Sequence, residues 1–194
     1  MSKVQKYSTM AILLIPIGIA INYVGGQLAL VLKLPVFIDV IGTILVGALA
    51  GPLFGGITGL VTNLILGITA PVWIAYAVVN VAIGIVAGLC AQRGWFKDVK
   101  GIIITSVLIW LITQLTANPV TVYMFGGVTG SGSSFITSFL LATGQSLWQS
   151  VITTALITET VDKFVSVIIV FFIIKAIPAR TLTKFPLGEQ YIPE

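Results

Sequence analysis

The sequence predicts an all-α integral membrane protein of six transmembrane helices with both termini cytoplasmic. Three observations carry this. Of the 194 residues, 57% are hydrophobic and 8% charged, and the mean hydropathy is +1.11. A soluble domain carries about 25% charged residues, so this chain cannot cover a water-facing surface. Its apolar runs are broken by short polar or Pro/Gly stretches, and at about 20 residues per span the length accommodates about six crossings. Lys and Arg also gather at alternate breaks, the signature of membrane orientation.

The elements follow in order. Residues 1–8 are polar and basic, with Lys3 and Lys6. The first span runs over about 10–32. It is too long and too directly continued for a cleaved secretory signal, and Pro16 inside it predicts a kink. Lys33-Leu34-Pro35 interrupts the pattern before a short second span, about 36–50, with Asp39 near its start. Gly51-Pro52 turns the chain into the third span, about 53–69, and Ala70-Pro71 into the fourth, about 72–91. Residues 92–100 form the clearest polar loop, followed by the fifth span, about 102–123. The GGVTGSGSS stretch at 126–134 reads as a flexible loop. Residues 135–149 read either as a short helix over the bundle or as the start of the last span, about 151–177. The tail from Ala179 is polar.

With six spans, one side of the membrane holds Lys3, Lys6, Arg93, Lys97, Lys100, Lys175, Arg180 and Lys184, and the other only Lys33. The positive side faces the cytoplasm. The Lys33 loop, the Ala70-Pro71 turn and residues 124–150 then face outward. Gly47/Gly51, Gly55/Gly59 and Gly84/Gly88 each form a GxxxG pair, which lets helices approach closely where no hydrophobic force drives them together.

Absent residue types exclude several functions. There is no histidine, hence no His-based acid–base chemistry or His-ligated metal, and the single Cys90 rules out an intrachain disulfide or a cysteine cluster. No P-loop motif is present, and the net charge of +4 reports topology, not nucleic-acid binding. Six spans leave no room within these residues for a soluble second domain.

Polar residues at membrane depth are few, and each charged one costs about 2.5–3.5 kcal/mol at the bilayer centre, so they mark function by default. Placed by span direction, Asp39, Asn63, Tyr76, Asn80, Gln114, Asn118, Glu159, Asp162 and Lys163 all fall in the outer half, with Trp73, Tyr123 and Trp148 nearby. Tyr76/Asn80, Gln114/Asn118 and Glu159/Lys163 are each four apart and share a helix face. An ion relay or water channel needs polar groups along the whole path, whereas a capture site open to the outside needs only the outer set. Aromatics beside amides suit a flat heteroaromatic ligand. Each residue also has a plainer role: Asp39 as a helix cap, Glu159 and Lys163 as a neutralised pair, the asparagines as helix bridges, and Trp73, Tyr123 and Trp148 as an interfacial belt.

The stretch INYVGGQLALVLKLPVFIDVIGTILVGALAGPLFGGITGLVTNLI, within a chain of this size and pattern, resembles the substrate-binding S component of energy-coupling factor (ECF) vitamin transporters. It looks most like the branch associated with hydroxymethylpyrimidine or vitamin B6-like compounds. The resemblance implies a bacterial, multi-pass cell-membrane protein that binds a small-molecule vitamin from outside under loops 33–37 and 126–149. It implies docking on a membrane T component coupled to two cytosolic ATPase subunits, and toppling in the bilayer to release the ligand inside. The chain itself needs no cofactor, because ATP is bound by the partners, and it is not an enzyme.

In this family the first helix usually carries an A-x-x-x-A pair that packs on the T component. Here Ala11 is followed by Ile15, and the nearest substitutes are Pro16 with Ala20 and Gly18 with Asn22. The docking face is therefore expected at Ala11, Ile15, Gly18, Ala20 and Asn22. Alternatives to an importer subunit are a membrane-embedded sensor and a solitary facilitator without ATPase partners. An intramembrane enzyme using Glu159 or Asp162 has no supporting histidine, reactive cysteine or metal cluster.

Overall fold

The computed structural model describes residues 9–192; Lys3 and Lys6, counted in the charge bias, lie outside them. The described residues form helices α1 (Thr9–Val31), α2 (Ile41–Ala50), α3 (Pro52–Thr69), α4 (Val72–Ala75), α5 (Ala77–Gln92), α6 (Val99–Phe125), α7 (Ser133–Ala142), α8 (Leu147–Ala176) and α9 (Ala179–Leu182), with a final 3-10 turn at Glu189–Tyr191. No strand occurs among them.

Three helices, α1, α3 and α6, are long and apolar enough to cross a membrane, and α2, α5 and α7 are shorter apolar helices. The 30-residue α8 is interrupted by charge at Glu159, Asp162 and Lys163. Ile17, Leu28, Ile68, Leu115 and Phe172 project from the bundle more than half exposed. In water such a surface would aggregate; against lipid it costs nothing.

Several helix ends are fixed by short-range chemistry. Gly51 adopts φ 99° and hands the chain to Pro52 at the first turn of α3, the position where a missing N–H does no harm. Asp98 accepts from the Gly101 N–H at 2.9 Å to start α6, and Gly126 ends it in the left-handed conformation. Ser146 and Gln149 form a reciprocal capping box at the start of α8. Helix α1 continues through Pro16 as one element.

All ten residues of α2 are buried, so this helix is the axis of the bundle. Glycines bring its neighbours in. A Cβ at Gly55 would overlap the Gly84 carbonyl and the Gly47 backbone, and one at Gly59 would overlap the Asn80 backbone. The three GxxxG pairs thus form a single junction of α2, α3 and α5, which sets where Asn80 sits.

The chain reverses direction between successive long helices and places its connections at two ends. One end carries 32–40, 70–71 and 126–146. The other carries 93–98 and the tail. That tail differs from the expected polar extension. Phe185, Leu187, Tyr191 and Ile192 pack on the core. The Leu187 N–H donates to Leu49 O at 3.0 Å, and Tyr191 Oη donates to Ala48 O at 2.9 Å. The last carbonyls of α2 have no partner within their own helix, and the tail supplies it. Burial pushes the Tyr191 hydroxyl up, so it remains a donor.

The helices are bounded differently from the expected spans at three places, and the short helix that is one reading of residues 135–149 is present as α7. The span predicted at 36–50 is helical only from Ile41, because Asp162 holds the Phe37 and Ile38 N–H groups in a non-helical segment. The span predicted at 72–91 breaks at Tyr76. The outer segment 124–150 contains α7, and α8 begins at Leu147 instead of Val151.

Candidate functional site

The break at Tyr76 frees backbone groups, and side chains take them up. The Trp73 carbonyl accepts the Tyr76 N–H at 3.1 Å and Asn63 Nδ2 at 2.8 Å. Asn63 Oδ1 in turn accepts Asn80 Nδ2 at 2.7 Å. This chain of amides ties α3 to both halves of the broken helix. It turns Trp73, Tyr76 and Asn80 toward one cavity while Asn63 stays behind the wall. Tyr76 is fixed further by a 2.6 Å hydrogen bond to Thr121 and by stacking on Phe125, ring centroids 5.9 Å apart.

The opposite wall comes from α8 and the 33–40 loop. Lys163 donates to Asp162 Oδ2 and lies 3.0 Å from Glu159 Oε2, all three groups being buried. Asp162 Oδ1 accepts the N–H groups of Phe37 and Ile38 at 3.0 and 2.9 Å. Ile38 has φ 54°, an outlier for a β-branched residue. Its carbonyl is pressed against Gly25, where no Cβ would fit. The loop is therefore held in a strained shape from both sides, which directs Phe37 and Asp39 into the cavity.

The cavity has about 600 Å³ of empty space, open solvent at its mouth included. Its aromatic surfaces are Phe37, Trp73 and Tyr76, and its charged ones Asp39, Glu159 and Lys163. A second cavity of about 400 Å³ shares Phe37, Tyr76 and Glu159 with it and is lined by hydroxyls, among them Ser133, Thr137, Thr154 and Thr158. Over the mouth, Lys33 Nζ donates to Gly130 O at 2.9 Å, and Gly132 lies against the Lys33 and Leu34 carbonyls. The 33–40 and 126–133 loops thus close on each other.

Three residues lining the first cavity each carry a buried polar atom without a hydrogen-bond partner: Trp73 Nε1, Asn80 Oδ1 and Glu159 Oε2. The last is near enough to Lys163 for an ion pair but not aligned for a hydrogen bond. Buried polar groups are nearly always satisfied; Thr105, Trp110, Ser150 and Gln190 carry further unpartnered atoms away from both cavities.

The expected site residues therefore divide. Asp39, Trp73, Tyr76, Asn80, Glu159 and Lys163 line the first cavity, and Asn118 lines the second. Asn63 and Asp162 stand behind the wall as positioning residues. Gln114 and Asn118 hydrogen-bond to each other, and Gln114 Nε2 donates to Ala155 O at 3.2 Å, joining α6 to α8. Tyr123 and Trp148 line neither cavity. They form an edge-to-face pair at the surface, with Tyr123 77% exposed. Their faces point away from both cavities. Phe37, Thr129 and Ser131 line the first cavity without having been singled out. Phe37, an aromatic beside Pro35 in an outer loop, was the signal available.

The expected docking set on α1 needs correction. Ala11, Gly18 and Asn22 are buried against the chain's own helices. Gly18 sits on Gly42, and Asn22 donates to Thr43 and Thr62 and accepts the Gly42 N–H. Ile15 is half-buried on the core, and Ala20 alone of the set is exposed. Small residues on a membrane helix mark close packing without saying which partner packs, and here the partner of these three is internal.

A family model described as ECF transporter, substrate-specific component matches residues 10–174. The chain belongs to this family. No curated protein and no solved structure matches it. As a substrate-specific component it is an integral membrane protein and the binding subunit of an importer, a role distinct from catalysis, and members of the family partner a T component and ATPases.

Proposed function

We propose that this chain is the high-affinity capture and translocation subunit of an ECF-type importer for a vitamin or vitamin precursor. Hydroxymethylpyrimidine or a pyridoxine-like compound is the proposed ligand. The observation that carries this reading is the aromatic-walled cavity whose residues include unpartnered Trp73 Nε1, Asn80 Oδ1 and Glu159 Oε2. Flat ring faces suit Phe37, Trp73 and Tyr76, and in-plane donors and acceptors suit the orphaned atoms.

In this reading the chain crosses the bacterial cell membrane six times, with both termini cytoplasmic. Among the described residues, Arg93, Lys97, Lys100, Lys175, Arg180 and Lys184 gather at the end bearing the tail, and Lys33 is the one loop cation at the cavity end besides the buried Lys163 of α8, which supports an outward-facing cavity. The 33–40 and 126–146 segments are the lid. The T component docks on exposed α1 surface around Ala20 and drives translocation with two ATPases.

The test is uptake of radiolabelled hydroxymethylpyrimidine and pyridoxine by cells making this chain with and without the T component and ATPases. Accumulation that requires all partners is the expected result. Equal uptake by the chain alone would identify a solitary facilitator instead.

A further inference from the structure

We infer that the captured ligand is a flat heteroaromatic cation, and that the site refuses anions, phosphorylated compounds included. The inference deepens the capture reading and rests on it. At the cavity, three carboxylates (Asp39, Glu159 and Asp162) meet a single ammonium, that of Lys163. That ammonium is spent: it donates to Asp162 and faces Glu159 at 3.0 Å. Asp162 is satisfied as well, by Lys163 and two loop N–H groups. Asp39 and Glu159 are the two carboxylates that line the cavity. Glu159 Oε2 has no aligned donor beyond its ion pair with Lys163.

Three carboxylates sharing one ammonium are costly at this burial, 6% exposed for Asp39 and 7% for Glu159. A cationic ligand supplies the missing charge. The aromatic walls agree, since Phe37, Trp73 and Tyr76 present ring faces that attract cations, and Lys163 Nζ already lies 5.8 Å from the Phe37 ring centroid. An anion finds nothing comparable. Neither cavity is lined by an arginine or by any lysine besides Lys163. Of the second cavity's hydroxyls, Thr158 donates to the Thr154 carbonyl and Thr137 to Thr154 Oγ1, and no charged donor stands beside them to hold a phosphate. Trp73 Nε1 is the one orphaned donor there, suited to a ring nitrogen or hydroxyl on the ligand.

The test uses three fragments of one shape and different charge, titrated calorimetrically into the purified chain near neutral pH. They are 4-aminopyridine, which is protonated there, neutral nicotinamide, and anionic nicotinate. Charge-assisted hydrogen bonds predict that 4-aminopyridine binds about ten-fold or more tighter than nicotinamide, with nicotinate weakest. In Asp39→Asn, and separately in Glu159→Gln, the gap between cation and neutral fragment shrinks several-fold. Equal binding of cation and neutral fragment, or tighter binding of nicotinate, overturns the proposal. So does capture of a neutral or anionic vitamin by a chain that ignores 4-aminopyridine, while leaving the capture reading intact. If no fragment and no vitamin binds, the capture reading falls, and this inference with it.

Discussion

Asn63 is the residue on which the site turns, although it lines no cavity. Its amide satisfies the Trp73 carbonyl exposed by the helix break and accepts from Asn80, leaving Asn80 Oδ1 free to face the ligand. Asn63→Ala strands the Asn80 amide N–H, at about 1–3 kcal/mol, and takes from the Trp73 carbonyl the second of its two donors. The expected outcome is a loss of ligand affinity of about ten-fold or more, read by equilibrium dialysis against wild type. An unchanged Kd would remove Asn63 from the site. The sequence brings Asn63 beside Asn80 because position along a helix follows from span direction alone. It could not place it behind the wall, because that depends on Tyr76 breaking α4 from α5. Tyr123 and Trp148 show the same limit: their rotation about the helix axis is set by which neighbours pack, and α6 is apolar on every face.

Among the elements, α2, α3 and α5 are fixed to one another by glycine. The GxxxG spacing was legible in sequence, since small residues four apart leave one flat strip on a helix. What the spacing does not tell is which strips meet. Gly55 faces Gly84, and Gly88 faces the Gly51-Pro52 turn. Gly84→Leu forces a side chain into the Gly55 backbone, and overpacking of this kind costs about 1–3 kcal/mol or more. We expect a drop in Tm of about 5 °C or more in detergent. Ile68→Ala, at a side chain 83% exposed to the lipid side, should leave Tm unchanged. Equal shifts in the two variants would contradict a glycine-built junction. The 33–40 loop was the least legible element. Nothing local marks Ile38 for positive φ; Asp162, far along the chain, and Gly25 impose it.

At the scale of the whole molecule, one charge pattern carries the orientation. Basic side chains collect at the end where the tail packs on α2, and the cavity opens at the other. The membrane class was readable from composition, because so few charges cannot solvate a surface. The packed tail was not, since its apolar residues Phe185, Leu187, Tyr191 and Ile192 are too scattered for a periodic signal. Orientation predicts accessibility. In a Cys90→Ser background, a membrane-impermeant maleimide should label Thr143→Cys in intact cells, and Lys97→Cys only after permeabilisation. Both positions are exposed, so the reverse pattern would invert the proposed topology.

The central claim is that a vitamin-sized ligand is captured between Trp73 and the α8 carboxylates. Tryptophan fluorescence of the purified chain tests it most directly, titrated with hydroxymethylpyrimidine, pyridoxine, pyridoxal, thiamine, riboflavin and pantothenate. Of the four tryptophans, Trp73 lines the cavity. The account predicts saturable quenching by one compound, largely abolished in Trp73→Phe while equilibrium dialysis still detects binding. Quenching of full amplitude in Trp73→Phe, or no saturable response to any of the six, would contradict it.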